Sequence, residues 1–314
     1  MSVDHLSYEE EPVCGTWQKF LQAVLILFLA ITVLLLLHYL LPSKTGELQD
    51  QVRTLSAQVH ELQQEQEMPA VVLNRYRNSI CYIFGIYEVG FPGQKPLQRT
   101  RISGSGFLVA DGLIATNRHV AEPWYGDTDS DALIDRGASA TLEKLVAYFP
   151  GSAEPVDLKP AVLSSDGDVA IVRATRGTSG LQPLPLAGDK PNPGELVAVV
   201  GYPMGVLGMM AKAPTPVYAR LAYRHDDQGT AGELAALSLI RPSATCGHLG
   251  DVVGDKLIYD APTAHGASGG PVFNSRGEVI GVNAAYIDGF SGGTLGVSSQ
   301  SLVPLIKQAQ RPLF

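Results

Sequence analysis

Apolar positions change their spacing three times along the chain. From Phe20 to Leu41 no residue carries a formal charge, and only Gln22, Thr32 and His38 are strongly polar. At about 1.5 Å of rise per residue, a helix of that length crosses a hydrocarbon core of about 30 Å. Trp17 and Tyr39 flank the run, as interfacial aromatics do. A cleaved secretory signal has a shorter apolar region and a small-residue cleavage site, whereas Leu-Pro-Ser-Lys follows here. The expectation is a retained transmembrane helix over 20–41, behind a disordered acidic segment at 1–19. Between 44 and 68 the spacing becomes heptad-like. Leu48, Val52, Leu55, Val59 and Leu62 recur at alternating steps of four and three, which predicts a short coiled-coil stalk. Met68-Pro69 should end that helix, because proline lacks the N–H that continues it. Two heptads are marginal alone. Tethering on one membrane raises the effective concentration, so self-association and a stalk without partners are both open.

From residue 71 onward, short runs with period two alternate with Gly/Pro turns. Strands are predicted near 79–87, 101–109, 112–116, 142–149, 156–163 and 168–173. A proline-rich linker follows over Leu181 to Asn192. A second set is predicted near 195–200, 216–223, 235–241, 257–260, 271–274, 278–285 and 294–298, and a short helix over Leu302 to Gln308. The fold class expected is all-β, with two six-stranded antiparallel β-barrels over 71–180 and 181–314.

Composition narrows the partners. The 33 glycines and 21 prolines in 314 residues suit a turn-rich β body, and the net charge of −8 argues against a nucleic-acid binder, which needs a basic face. The three cysteines are Cys14, Cys81 and Cys246. Cys14 precedes the apolar run, which leaves Cys81–Cys246 as the one possible bridge. Buried free thiols are the reading preferred, and no cysteine lies in a nucleophile motif. Asp127, Asp129 and Asp131 suggest a calcium loop, but Ala132 stands where the EF-hand loop needs Gly and Ala138 where it needs Glu. A solvated acidic loop is expected, and neither a metal nor a cofactor.

The chemistry is concentrated in residues 264–274, Ala-His-Gly-Ala-Ser-Gly-Gly-Pro-Val-Phe-Asn. Three glycines around one serine suit a sharp turn that brings backbone close to a ligand. Ser268 is the candidate nucleophile, with the N–H groups of Gly266 and Ser268 aimed at an oxyanion. A base is available at His119, where the Gly-Ser-Gly-Phe run from residue 104, an Asp111-Gly112 hairpin signal and Thr-Asn-Arg-His-Val follow one another. An acid is available at Asp168, directly before Val-Ala-Ile-Val, and is preferred over Asp166. The order His119, Asp168, Ser268 is neither that of subtilisins nor that of α/β-hydrolases.

With Gly277-Glu-Val-Ile-Gly-Val-Asn283 and Gly194-Glu-Leu-Val-Ala-Val-Val-Gly-Tyr-Pro203, these motifs resemble the trypsin-like serine proteases, and among them the HtrA/Deg branch, over about residues 80–308. The resemblance implies two barrels with the active site in the cleft between them. It implies a His119–Asp168–Ser268 triad acting on protein or peptide substrates. It also implies a specificity pocket bordered by Thr263, Ala264, Val282, Asn283 and Ala284. None of these carries a charge, so cleavage is expected after small or medium apolar residues. Family members that mature by cleavage have Asp, and HtrA-like members usually Asn, where this chain has Ala267. No zymogen cleavage is therefore expected. His265 is read as a solvated loop residue, and Gly205–Met210 and Gly289–Gly293 as flexible loops beside the cleft.

The PDZ domain that many relatives carry is expected to be absent, and a homo-oligomer, a trimer first, is expected by resemblance. The alternative function is a trypsin-fold binding scaffold that does not cut, or a membrane assembly protein. Orientation is contested: Lys19 before the apolar run against Lys44 and Arg53 after it weakly favours a cytoplasmic domain. The resemblance implies a single-pass protein, in contact with membrane lipid, whose protease domain is extracytoplasmic, on the periplasmic side.

Overall fold

The computed structural model describes residues 14–286 and 293–311. Contacts divide the chain into two units at Gln63/Gln64. Helix α1 spans Cys14–Tyr76. Within the first unit its Trp17–Leu40 segment, 24 residues of mean hydropathy 2.9, is long and apolar enough to cross a membrane.

The helix does not end at Met68-Pro69 as the sequence suggested. A proline inside a helix costs about 3 kcal/mol. Against that, Met68, Val72 and Tyr76, four residues apart on one face, are 3, 1 and 1 % exposed in the core of the second unit. Tyr76 stacks on Phe273 with ring centroids 5.6 Å apart. Burial of such side chains is worth about 1.5–3 kcal/mol each, so packing outweighs the proline.

The second unit begins with β1 (Ile80–Gly90), β2 (Gln98–Ala110) and β3 (Leu113–Thr116). Helices α2 (Arg118–Ala121) and α3 (Thr128–Ile134) follow, then β4 (Ser139–Tyr148), β5 (Val156–Leu163) and β6 (Ala170–Ala174). The order β1-β2-β3-β6-β5-β4 closes into a barrel. After β7 (Leu196–Gly201) come α4 (Gly205–Ala211), α5 (Thr215–Leu221) and α6 (Asp227–Ala236). Then β8 (Ser243–Val253), β9 (Lys256–Tyr259), β10 (Pro271–Phe273), β11 (Val279–Tyr286) and β12 (Thr294–Ser298) close a second barrel. Its order, β7-β8-β9-β12-β11-β10, repeats the topology of the first. Helix α7 (Leu302–Ala309) returns from the second barrel to pack on β5 and β6 of the first.

The period of two decides where the cores lie. In β1, Cys81 and Ile83 fill the first barrel with Leu108, Ile114 and Val172. Their neighbours Ile80, Tyr82 and Phe84 face the other way, into a core shared with Ala198, Val200, Tyr202 and Phe273 of the second barrel. The interior of the second barrel is built separately, from Val197, Val199, Leu249, Leu257 and Tyr259. The linker lies across both barrels: Leu184 N–H donates to Leu108 C=O at 2.8 Å, and Ala187 N–H to Val279 C=O at 2.9 Å.

Two segments differ from the expected strands. Residues near 216–223 and 235–241 belong to the helical insertion α4–α6 and the loop after it. Pro216 lies in the first turn of α5, where its fixed φ favours a helix. In α6 the buried residues Thr230, Ala231, Leu234 and Ala235 have helical spacing. Gly205–Met210, expected as a flexible loop, is α4. The loop expected at Gly289–Gly293 falls almost wholly outside the described residues. Asp127 is not in a solvated acidic loop: it caps α3, its carboxylate accepting from the Ser130 N–H at 3.2 Å. Cys81 and Cys246 are both free, the first buried and the second exposed.

Candidate active site

The tight turn Asp111-Gly112, with Gly112 at φ +70°, reverses β2 into β3 and delivers Thr116 and Asn117 to the edge of the first barrel. The chain then turns into α2, which carries His119. Asp168 lies just before β6, the strand paired with β3. Three hydrogen bonds join the two segments. Asn117 Nδ2 donates to the Asp168 carbonyl at 2.6 Å, and His119 N–H donates to Asp168 Oδ1 at 3.0 Å. His119 Nδ1 lies 2.7 Å from Asp168 Oδ2. With the carboxylate beside it, Nδ1 carries the proton and Nε2 is left as the basic nitrogen. Asp166 is engaged elsewhere, accepting from Ser165 Oγ at 2.8 Å, and does not meet His119.

Ser268 arrives from the second barrel, on the turn that leads into β10. Nearly every polar group of that turn is assigned. The carbonyl of His265 accepts from Met204 N–H at 2.6 Å, that of Ala267 from Gly270 N–H at 3.0 Å, and that of Ser268 from Ser105 N–H at 2.7 Å. The carbonyl of Gly266 accepts from Ser105 Oγ at 2.7 Å. The N–H groups of Ala267 and Gly269 donate to Ala264 and Asn283 carbonyls at 3.0 and 2.7 Å. Among the described residues, the N–H groups of Gly266 and Ser268 alone in 266–270 have no acceptor. A trans peptide directs N–H opposite to its C=O. Since the His265 carbonyl is held by Met204, Gly266 N–H faces away from Met204.

This path needs glycine. Gly266 has φ +91°, and a Cβ there would lie 2.6 Å from the Tyr202 carbonyl. Gly269 has φ +86°, and its Cβ would lie 2.1 Å from the Ser105 carbonyl. A side chain at Gly269 would force the turn away from the first barrel, and one at Gly266 would force it away from the segment that follows β7.

A cavity of about 380 Å3 is lined by His119, Thr263, Ala264, His265, Ser268, Asn283, Ala284 and Ala285. The structure thus brings together the residues singled out in the sequence, with two differences. Val282, expected at the pocket, is fully buried in the core between the barrels. His265, read as a solvated loop residue, is exposed and lines the cavity. Asn283 is buried with its amide fixed: Tyr259 O–H donates to Oδ1 at 2.7 Å, and Nδ2 donates to Thr263 Oγ1 at 3.3 Å. Burial pushes the Tyr259 phenol well above the usual tyrosine range, so it stays neutral and donating. The Ser268 hydroxyl donates to the Ala284 carbonyl at 2.9 Å.

The arrangement pairs a carboxylate-oriented imidazole with a serine and two undirected N–H groups across a cleft between two barrels. A family model described as a trypsin-like peptidase domain matches residues 104–282. The chain belongs to the trypsin-like peptidase family.

Relatives of this trypsin-like domain bear serine protease names. PepD of Mycobacterium tuberculosis, a serine protease, is 30% identical over 207 residues, covering 65% of this chain and 36% of PepD. A Marinomonas protein named "Probable periplasmic serine endoprotease DegP-like" is 31% identical over 211 residues, covering 66% of this chain and 35% of that protein. The chain thus matches about a third of the length of these relatives. In fold it is similar to another M. tuberculosis protease, solved in its active form, at 16% identity and a TM-score of 0.50. That match covers 77% of this chain and 86% of the other.

The motifs did not reveal Ser105, Asn117 or Met204 as parts of the site. Each acts on a residue distant in sequence, and the only local signal was the Gly-Ser-Gly and Thr-Asn context of the first two.

Proposed function

We propose that this chain is a membrane-anchored serine endopeptidase that cleaves peptide bonds through an acyl-enzyme. The observation that carries the reading is the pair of free N–H groups at Gly266 and Ser268, beside a serine that shares a cavity with an Asp-oriented histidine. When substrate enters, Ser268 Oγ turns from the Ala284 carbonyl toward Nε2. It attacks the scissile carbonyl while Nε2 takes its proton, and Asp168 stabilises the imidazolium. The oxyanion forms against the Gly266 and Ser268 N–H groups. As the C–N bond breaks, Nε2–H protonates the leaving amine. Water then attacks the ester by the same route, and its proton returns to Ser268.

Specificity follows from the walls. Among the described residues no carboxylate lines the cavity to receive Lys or Arg, and Thr263 and Asn283, joined by a hydrogen bond, form part of its wall. Small and medium uncharged side chains fit. The Trp17–Leu40 helix serves as the anchor, and the periplasmic naming of a relative supports an extracytoplasmic domain. Leu48, Val52, Leu55, Val59 and Leu62 are 52–63% exposed, an apolar stripe suited to association of identical stalks, with a trimer as the leading arrangement.

The test is proteolysis. Detergent-solubilised full chain should cut an unfolded protein substrate after small or medium residues, and S268A should not. Equal cutting by S268A would reject the reading, as would no cutting by folded wild type. The second outcome would favour a binding scaffold.

A further inference from the structure

We propose that Ser105 is a positioning residue that holds the oxyanion turn of the second barrel in its working shape from the first barrel; the assignment rests on the proteolytic reading above. Ser105 lies on β2 and is fully buried. It makes four hydrogen bonds, three of which cross to the second barrel. Its N–H donates to the Ser268 carbonyl at 2.7 Å. Its Oγ donates to the Gly266 carbonyl at 2.7 Å and accepts from Tyr202 N–H at 3.0 Å. Its own carbonyl accepts from Thr116 Oγ1 at 2.7 Å, one residue before Asn117 and three before His119. One residue thus touches both ends of the serine turn and the approach to the histidine.

The geometry explains why this controls reactivity. The oxyanion N–H groups belong to residues 266 and 268, and Ser105 holds the carbonyls of those same two residues. Gly266 has positive φ and no side chain to resist rotation, so its peptides are held by hydrogen bonds alone. The Met204 N–H fixes the peptide before Gly266; the peptide after it is held by the Ser105 hydroxyl on its carbonyl and by its own N–H on the Ala264 carbonyl. Without the hydroxyl, Gly266 C=O loses its donor and Tyr202 N–H its acceptor, both in the interior. The turn then gains by shifting Gly266 toward other partners, and that shift carries the Gly266 N–H away from the oxyanion position. The backbone bond from Ser105 N–H survives substitution by alanine or cysteine, which keeps Ser268 itself in place.

The substitution that tests this is S105A in full-length, detergent-solubilised protein. Loss of one oxyanion donor lowers kcat by about 10²–10³-fold. A turn that is misplaced part of the time should lose at least about tenfold. The loss should fall on kcat, with KM within about threefold, because the specificity pocket at Thr263 and Asn283 is untouched. Reaction of Ser268 with a fluorophosphonate should slow in parallel, while S105A, less stable for its two unpaired interior groups, stays fully folded at the assay temperature. S105C, with a weaker donor at the same place, should fall between S105A and wild type and serves if S105A does not fold.

Wild-type rates in S105A or S105C would overturn the proposal. A loss carried by KM, or one that appears only as the protein unfolds, would also overturn it, since either marks a structural role. If the fluorophosphonate leaves wild type itself unmodified, the proteolytic reading falls and the role of Ser105 with it. A labelled wild type with an equally fast S105A removes Ser105 alone.

Discussion

Replacing Asp168 by asparagine separates orientation from charge, and the structure dictates how. Asp168 receives two donors: His119 N–H on Oδ1 at 3.0 Å and the ring Nδ1 on Oδ2 at 2.7 Å. Asparagine offers one acceptor oxygen and one NH2. The backbone N–H of His119 can only donate, so the amide oxygen has to stay there. The NH2 group then faces Nδ1, which must become an acceptor. The ring proton moves to Nε2, and the nitrogen that should accept from Ser268 is blocked. In the Ser-His-Asp template the equivalent change lowers kcat by about 10⁴-fold through this tautomer error. D168N should show a loss of that size in kcat, with KM nearly unchanged. The two other anchors of the segment remain, namely His119 N–H on the residue-168 side-chain oxygen and the Asn117 side-chain amide on the 168 carbonyl. Stability should therefore change by less than about 1 kcal/mol. The assay is steady-state hydrolysis of a peptide substrate beside thermal melting. A D168N protein that keeps more than a tenth of wild-type kcat would refute the tautomer argument. So would a loss that appears only with unfolding.

Three other perturbations address the frame. Tyr76→Ala removes a 1 % exposed ring stacked on Phe273 and should cost about 3–5 kcal/mol of second-unit stability; an unchanged thermal midpoint would mean that the helix beyond Pro69 does not pack. Asp127→Ala should cost about 1 kcal/mol at pH 7 by removing the cap of α3. Hydrogen bonds from Ser130, its side chain first, hold the Asp127 carboxyl below the usual aspartate range, so its stabilisation is present above about pH 4 and is lost as pH falls through the folded value. Urea melts should show the mutant gap closing below about pH 4, and a gap unchanged at pH 3 would contradict this. Burial pushes the Cys81 thiol far above its ordinary range. A maleimide should therefore modify exposed Cys246 and spare Cys81 in the folded protein, and fast reaction at Cys81 would show that the first barrel opens.

The parts of the site that the sequence made legible are those whose chemistry is local. The turn around Ser268 needs its glycines side by side, and His119 follows directly from the strand that positions it. The contacts of Ser105 were not legible, because its hydroxyl meets Gly266 across 161 residues of sequence. The barrels were legible where strands bury both faces, as in β1. Strand β8 was missed because Leu249 is its one fully buried residue and Ser243, Thr245, Gly247, His248, Gly250 and Asp251 break the apolar alternation around it. The α4–α6 insertion was misread because its apolar residues come in runs too short to separate a period of two from one of 3.6. The helix past Pro69 was hidden for another reason. Proline is a reliable local stop, and only the packing of Tyr76 on a strand some two hundred residues later in sequence overrides it.

The central claim is that Ser268 is an activated nucleophile beside a formed oxyanion site. It is tested most directly by treating folded full-length protein with a fluorophosphonate and mapping the adduct by mass spectrometry. The account predicts one adduct, on Ser268, which is lost in H119A. Folded wild type without an adduct, or an adduct that forms equally fast in H119A, would contradict it.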